Sequence, residues 1–160
     1  MIDGTSVVAA LQKCGITDVV WIPDTYLGTW DAALSSAADI RLIRVSREGE
    51  AIALAGGLLL GGRKPIVLIQ CTGMFEAGDS LRNIVHDLKL PLFLVVGLRS
   101  QLAAQRGPVA DTCPHFSEPI MKAWRVPYVL LDDKSTADDL ATEYRKAQTE
   151  KRAGAALIAE

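Results

Sequence analysis

The sequence predicts an α/β fold, a three-layer α/β/α arrangement in which a six-stranded parallel sheet lies between two layers of helices. Six short apolar runs alternate with stretches of helical periodicity and are joined by short turns, which is typical of a parallel sheet with helices on both faces. The runs from Pro65 to Cys71 and from Pro91 to Gly97 are almost uninterrupted by polar residues, as strands covered on both faces should be.

The first part of the chain contains two strands and three helical segments. Thr5 and Ser6 are placed to cap a first helix that reaches about Lys13, and Gly15 follows it as a helix-terminating residue. The elements that follow are a strand from Asp18 to Ile22, a helical segment from Tyr26 to Ala37, a strand from Arg41 to Val45 and a helix from Glu48 to about Gly62.

The second part begins with the strand at Pro65, after which Thr72-Gly73-Met74 opens a helix. The periodicity is lost from Leu98 to about Pro114, which predicts a long surface loop of the kind that is commonly functional or mobile. The remaining predicted elements are a helix from Ser117 to Trp124 with Pro119 near its first turn, a strand from Pro127 to Leu131, a helix opened by a capping box at Ser135 and Asp138, and a last strand from Ala155 to Ala159.

Composition narrows the functional classes. A chain of 160 residues is most simply one domain, and its net charge of −2 gives no electrostatic footprint for nucleic acid. No apolar run approaches the length of a membrane-spanning helix, so we expect no membrane partner. Three widely spaced cysteines argue against a disulfide framework and a zinc site, and they predict a cytoplasmic protein.

One acidic residue stands where a ligand site is expected. Glu48 lies at a strand-to-helix junction, with Glu50 two residues later. An acid at the carboxyl end of a parallel strand lies where open α/β sheets bind ligands. Acids are also favoured in the first turn of any helix by the helix dipole, so the residues alone leave both interpretations open.

Several common site motifs are missing from the sequence. There is no G-x-G-x-x-G after the first strand and no G-x-S-x-G, which argues against a dinucleotide fold and a serine hydrolase. His86 is predicted to be structural, whereas His115, in the long loop, is open to a substrate role or to simple exposure. The residues alone therefore predict an α/β domain with a crevice that forms half of a larger site.

Three segments resemble thiamine-diphosphate enzymes. The run from Ser46 to Gly57, with Glu48 nine positions before Gly57, resembles their pyrimidine-binding segment. Ile22-Pro23-Asp24-Thr25 is similar to the Val-Pro-Asp-Ser turn of the phosphonopyruvate and sulfopyruvate decarboxylases. Thr72-Gly73-Met74 resembles the loop that packs on the aminopyrimidine. The resemblance spans nearly the whole chain and implies a single flavodoxin-like pyrimidine-binding domain over residues 1–160.

The resemblance also implies site roles. Glu48 would be the catalytic acid that hydrogen-bonds N1′ of the cofactor's aminopyrimidine and favours its imino form. The other cofactor-binding residues would be Pro23, Thr72, Gly73, Met74 and Asn83. The substrate-side candidates are Asp24, Thr25, Arg99 and His115, and no metal ligand is expected in this chain. Residues 98–114 match no part of the family, which leaves the 2-oxo acid and the type of product undetermined.

The diphosphate half of such a site has no counterpart in the sequence. The family holds Mg²⁺ and the diphosphate with a Gly-Asp-Gly motif, and the only Gly-Asp here lies in a predicted helix, at Gly78-Asp79-Ser80. The resemblance therefore implies a hetero-oligomeric lyase in which a beta-type subunit binds the diphosphate and Mg²⁺, and which is active on a small 2-oxo acid only when assembled. The alternative is a catalytically inactive pyrimidine-type domain that acts as a structural or regulatory partner. A flavodoxin-like binding domain is a third reading, but the sequence has no phosphate loop to support it.

Overall fold

A six-stranded, all-parallel sheet forms the centre of the molecule, as predicted. The computed structural model describes residues 2–160. The strands lie in the order β2-β1-β3-β4-β6-β5. They are β1 (Asp18–Trp21), β2 (Arg41–Arg44), β3 (Pro65–Gln70), β4 (Phe93–Leu98), β5 (Tyr128–Leu131) and β6 (Gly154–Ala159).

Helices cover both faces of the sheet. They are α1 (Gly4–Lys13), α2 (Asp31–Ser36), α3 (Glu48–Leu60), α4 (Cys71–Glu76), α5 (Gly78–Leu81), α6 (Gln101–Arg106), α7 (Cys113–Ala123) and α8 (Ala137–Thr149), with a 3₁₀ turn at Leu27–Trp30 and a π-helical segment at Arg82–Asp87. One core cluster joins α1, α2 and α8 to the sheet, and a second joins α3, α4, α5 and α7 to the opposite face.

The strand order places a crevice between β1 and β3. The chain leaves β1 toward the helices of one face and leaves β3 toward those of the other face. The two connections therefore diverge at the carboxyl ends of neighbouring strands. Open α/β sheets bind ligands at such a switch point, because the diverging connections leave a gap above the strand ends.

Two helix starts differ from the predictions. The first helix is capped by Asp3, whose carboxylate accepts a hydrogen bond from the backbone of Ser6 at 3.0 Å, rather than by Thr5 or Ser6. At α8 the Asp139 carboxylate accepts from the backbone of Thr136 at 2.8 Å, one position later than the predicted box at Ser135 and Asp138. Several polar residues precede each helix, and local sequence does not decide which of them becomes the cap.

The predicted loop from Leu98 to Pro114 contains a helix and the ends of two further elements. Strand β4 runs through Leu98, and α6 occupies Gln101–Arg106. No residue of α6 is buried. Because the helix presents no apolar stripe to the core, its sequence has no hydrophobic period by which it could have been recognised.

The next helix also begins earlier than predicted. Helix α7 starts at Cys113, so Pro114 rather than Pro119 lies in its first turn, and Pro119 lies inside the helix. His86 is structural in the sense predicted, because its Nε2 lies 2.6 Å from the carbonyl oxygen of Trp124 at the end of α7.

A buried carboxylate fixes the amino end of the sheet. Asp18, whose side chain is fully buried, pairs with Arg41 at 2.6 Å and with Arg63 at 2.8 Å. Burial pushes the Asp18 pKa upward, but hydrogen bonds from Arg63, Thr17 and Arg41 outweigh burial and hold the pKa below its usual value. These contacts join β1 to β2 and to the start of β3, at the edge opposite the crevice.

Candidate functional site

The Glu48 carboxyl group packs directly onto Gly73 at the carboxyl edge of the sheet. Glu48 is the first residue of α3, and Gly73 lies in the first turn of α4, just after β3. A Cβ atom placed on Gly73 would lie 2.0 Å from both the Cδ and the Oε1 of Glu48. Any side chain at position 73 would therefore displace this carboxyl group, so glycine is required for the observed contact.

Glu48 differs from the neighbouring acids Glu50 and Glu76 in the contacts of its carboxylate. Its half-buried carboxylate has no hydrogen bond or ion pair with any residue between 2 and 160. Glu50 accepts a hydrogen bond from the backbone of Ser46 at 3.2 Å, and Glu76 is paired with Arg47. The Glu48 oxygens are thus available to an outside donor, whereas the other two carboxylates serve local structure.

The remaining predicted cofactor residues differ in their accessibility. Thr72 is exposed and donates its hydroxyl proton to Gln70 Oε1 at 3.0 Å. Met74 is fully buried in the core on the α3 face, and Gly73 between them is also buried, under the Glu48 carboxyl group. Asn83 lies in the π-helical segment, where its amide donates to the backbone oxygen of Asp79 at 3.1 Å.

The predicted turn after β1 is organised by Asp24. Its Oδ1 accepts hydrogen bonds from the backbone N–H groups of Tyr26 at 2.9 Å and Leu27 at 2.7 Å, which start the 3₁₀ turn. Its Oδ2 is buried and has no hydrogen-bond partner among residues 2–160. Burial raises the Asp24 pKa, and the two backbone donors only partly oppose that effect. Pro23 and Thr25, on either side, are exposed.

A second acid meets Asp24 above the end of β4. A Cβ atom on Gly97 would lie 2.1 Å from Glu160 Oε1 and 3.2 Å from Asp24 Oδ2. Glu160 follows β6, and its Oε1 is also buried without a hydrogen-bond partner in the described chain. Burial and the nearby Asp24 raise the Glu160 pKa to about 8, against an opposing effect of Arg99. Glu160 and Gly97 were not among the predicted site residues, although a polar residue directly after an apolar strand was the available signal.

The remaining substrate-side candidates lie around the start of α7. Arg99 donates to Asp111 through Nε at 2.8 Å and through Nη2 at 3.3 Å. This pair, with a further hydrogen bond from the backbone of Cys113, holds the Asp111 pKa well below its usual range. Asp111 was not predicted, since its role depends on the fold of residues 98–114. His115 is exposed on α7, next to Phe116, which is 54% exposed.

Two buried thiols lie behind this edge. Cys71 begins α4 and Cys113 begins α7, and both are buried. Burial, Asp111 and the Cys71 thiol raise the Cys113 pKa to about 11. The Cys113 thiol is therefore not suited to act as a thiolate nucleophile at neutral pH.

The geometry gives an acid-lined edge at which the Glu48 carboxylate, Asp24 Oδ2 and Glu160 Oε1 have no hydrogen-bond partner within residues 2–160. In the described part of the chain, no group of three or more His, Cys, Asp or Glu side chains is placed to hold a metal ion. Glu48 can exchange a hydrogen bond with a ring nitrogen or another polar group, and the missing side chain at Gly73 is what lets its carboxyl group lie there. Within residues 2–160, no helix is both long and apolar enough to span a membrane.

Comparison with known proteins identifies what the chain resembles. The family model described as "Thiamine pyrophosphate enzyme, N-terminal TPP binding domain" matches residues 3–119. A phosphonopyruvate decarboxylase of Streptomyces viridochromogenes is 26% identical over 144 residues, which cover 90% of this chain and 36% of that protein. The alpha subunit of sulfopyruvate decarboxylase from Methanococcus maripaludis is 31% identical over 97 residues, covering 61% of this chain and 58% of that subunit.

Solved structures agree on the fold. The benzoylformate decarboxylase of Polynucleobacter necessarius superimposes with a TM-score of 0.70 at 20% sequence identity, over 99% of this chain and 30% of that one. The thiamine diphosphate-dependent 4-hydroxybenzoylformate decarboxylase of Rhodococcus jostii RHA1 gives a TM-score of 0.64 at 18% identity, over 99% of this chain and 30% of that one. The chain thus spans only part of the proteins to which it is similar.

Proposed function

This chain belongs to the family of thiamine pyrophosphate enzyme N-terminal domains, and we propose that it is the pyrimidine-side subunit of a thiamine-diphosphate-dependent 2-oxo acid decarboxylase. The observation that carries the proposal is the unpaired Glu48 carboxylate packed on Gly73 at the sheet edge. Its relatives include proteins named phosphonopyruvate decarboxylase and sulfopyruvate decarboxylase subunit alpha, which supports decarboxylation as the reaction.

The residues at the edge fit the pyrimidine ring of the cofactor. Gly73 gives the Glu48 side chain its place against the start of α4, and Glu48 presents a carboxylate that lacks a donor within residues 2–160. We assign Glu48 to hold a proton against the ring nitrogen, with Pro23, Thr72, Gly73, Met74 and Asn83 as the predicted surrounding residues. Thiamine diphosphate, when bound, supplies the nucleophilic carbon and the electron sink for the loss of CO₂ from a 2-oxo acid.

The substrate side is proposed to lie at the turn after β1 and at the start of α7. Asp24 and Thr25 form the turn, and Arg99 and His115 are the cationic and polar candidates on the other side. Arg99 already has two hydrogen bonds with Asp111, so its remaining N–H groups are those available to an anionic substrate.

We assign the diphosphate and Mg²⁺ to a separate beta-type subunit, so that the active enzyme is a hetero-oligomer. One relative is itself named a subunit alpha, which supports this assignment. Helix α3 also carries an exposed apolar face at Ala53, Gly57 and Leu60, and Leu60 is 69% exposed. A partner covering this face would stand on the same helix that begins with Glu48, which favours the diphosphate-binding subunit as its occupant.

The second candidate function is a catalytically inactive pyrimidine-type domain that supports a partner. In that case Glu48 serves only as an acid in the first helical turn. The observation that favours this reading is the helix-start position of Glu48, which Glu50 shares.

A pair of matched substitutions separates the two functions. Thiamine diphosphate with Mg²⁺ is titrated calorimetrically into this chain, and into its complex with the candidate beta-type subunit. Binding only in the complex is the expected result. Glu48→Gln should lower the decarboxylation rate of the complex by about 10²- to 10⁴-fold while leaving assembly intact. Glu50→Gln, which alters the helix start alone, should leave most of the activity.

Three results of these experiments would contradict the proposed function. Loss of assembly, rather than of activity, in Glu48→Gln would favour the structural role. Tight binding of thiamine diphosphate and Mg²⁺ to the isolated chain would contradict the split site. Equal losses in the Glu48→Gln and Glu50→Gln complexes would show that Glu48 has no role beyond the helix start.

A further inference from the structure

Two acids lie side by side above Gly97, each with a buried carboxyl oxygen that has no donor among residues 2–160. Asp24 Oδ2 and Glu160 Oε1 both approach the position that a Cβ atom on Gly97 would take, at 3.2 and 2.1 Å respectively. The separation of the two oxygens therefore cannot exceed the sum of these two distances. Both oxygens are buried, and neither has a donor among residues 2–160. Two unprotonated carboxylates in such a place would repel each other without compensation.

Neighbouring groups do not neutralise the pair. Asp24 Oδ1 is already occupied by two backbone donors, which leaves Oδ2 as the oxygen toward Glu160. Arg99 lies close enough to affect Glu160, but its hydrogen bonds go to Asp111. Tyr26 faces Glu160 from the 3₁₀ turn, and its phenol pKa is raised by burial, by Glu160 and by Asp133. The remaining way to remove the repulsion is a proton.

The position of Glu160 is fixed by its backbone. Its N–H donates to Leu98 O at 3.2 Å, and its carbonyl accepts from Leu102 N at 2.8 Å. Glu160 is thereby held between the end of β4 and the first turn of α6. These bonds fix the backbone from which the side chain starts, and uptake of a proton removes the repulsion in the observed arrangement without any movement.

We propose that Asp24 and Glu160 share one proton between them at neutral pH, and that Glu160 is the positioning residue that keeps the pair singly charged. The proposal rests on the proposed function, because Asp24 belongs to the substrate side of that site. A pair with one proton carries one negative charge less than a dianion and therefore repels the carboxylate of a 2-oxo acid less. Glu160 therefore favours an anionic substrate without touching it.

The charge state follows from the pair's surroundings. Burial and Asp24 raise the Glu160 pKa to about 8, which places the loss of the shared proton just above neutral pH. Substrate recognition should then weaken as the pH rises through this value. The apparent pKa values of two neighbouring acids belong to the pair rather than to either residue. Substitutions of both Asp24 and Glu160 are therefore needed to assign the titration.

The first test reads the proton directly and does not require activity. In the full chain with ¹³C-labelled glutamate side chains, one carboxyl resonance should titrate near pH 8. The resonance should be absent in Glu160→Gln, and its titration should move to lower pH in Asp24→Asn, where a like charge is replaced by an amide donor. Asp87→Asn, an exposed acid paired with Arg82, is the matched control and should leave the resonance unchanged. Titration of every glutamate below about pH 6 would overturn the shared proton.

The second test reads the positioning role in the assembled enzyme. In the wild-type complex, kcat/KM for the 2-oxo acid should fall about tenfold per pH unit above the pair's titration. Glu160→Gln is uncharged at every pH, so this limb should vanish while the rate at lower pH is retained. A resonance near pH 8 together with an unchanged activity profile in Glu160→Gln would overturn the positioning role alone. A complex that decarboxylates no 2-oxo acid would overturn the proposed function and the positioning role with it, and the titration would still decide whether the proton is shared.

Discussion

Replacing Gly73 by alanine should separate the position of the Glu48 carboxylate from the stability of the fold. The added Cβ would lie 2.0 Å from Glu48 Cδ and Oε1 and 2.1 Å from Cγ, whereas ordinary contacts begin near 3.4 Å. The carboxyl group must therefore move by more than an ångström. Glu48 can do so by rotating its side chain, because it has no hydrogen bond to break within residues 2–160.

The substitution should lower activity strongly and change stability little. A displacement of about 1 Å in a group that must meet the cofactor costs roughly 10²-fold in rate. Replacing a helical glycine by alanine stabilises a helix by about 0.5–1 kcal/mol, and this gain offsets the rearrangement of an otherwise unconstrained side chain. We therefore expect Gly73→Ala to leave the free energy of unfolding within about 1 kcal/mol of wild type while lowering activity strongly.

The assay combines urea unfolding of the isolated chain with decarboxylation by the reconstituted complex. Gly107→Ala is the matched control, since a Cβ atom there meets no atom within 4 Å and the backbone is extended. The control should change neither quantity appreciably. Full activity in the Gly73→Ala complex would refute the reasoning, because Glu48 would then not need its observed place. Unfolding of the variant would show that the contact supports the fold itself.

Two further predictions concern stability. Asp18→Asn should cost about 1–3 kcal/mol, because a buried carboxylate loses charged hydrogen bonds to Arg41 and Arg63. The lowered Asp18 pKa means that its contribution is present above the unfolded pKa near 3.9 and is lost as the pH falls through the folded pKa, so the variant's urea midpoint should depend less on pH below about 4. The adjacent glycines of α3 should differ in thermal unfolding. Gly56→Ala would place its Cβ 2.5 Å from Ile84 Cδ1 and should cost about 1–3 kcal/mol, whereas Gly57→Ala meets nothing within 4 Å and should stabilise by up to about 1 kcal/mol. Equal effects at the two positions would contradict the packing of α3 on the π-helical segment.

The sheet was predictable because its strands are buried on both faces. Burial forces an almost unbroken apolar run, and β3 and β4 carry that pattern within one or two residues of their observed ends. Helix α6 was not predictable on the same grounds. It buries none of its residues, so no period in its sequence distinguishes it from a loop.

The candidate site likewise contains residues that the sequence singles out and residues that only the fold brings together. Glu48 was a candidate from its place at a strand-to-helix junction, and Gly73 from the resemblance of Thr72-Gly73-Met74 to a loop of the family. The Asp24–Glu160 pair was not, since its members are 136 positions apart in the numbering and meet only across the ends of β3 and β4. Their shared environment depends on strand order, which single-sequence patterns do not contain.

The burial of Cys113 gives the molecule a native chemical reporter. With a thiol pKa of about 11, only a very small fraction is thiolate at neutral pH, and the side chain is 7% exposed. Alkylation at this position therefore requires the start of α7 to open away from β4. Cys14 is partly exposed, and its reaction with the same reagent measures the background rate. The ratio of the two labelling rates measures how often the Arg99–Asp111 region opens locally, and no probe has to be introduced into the chain.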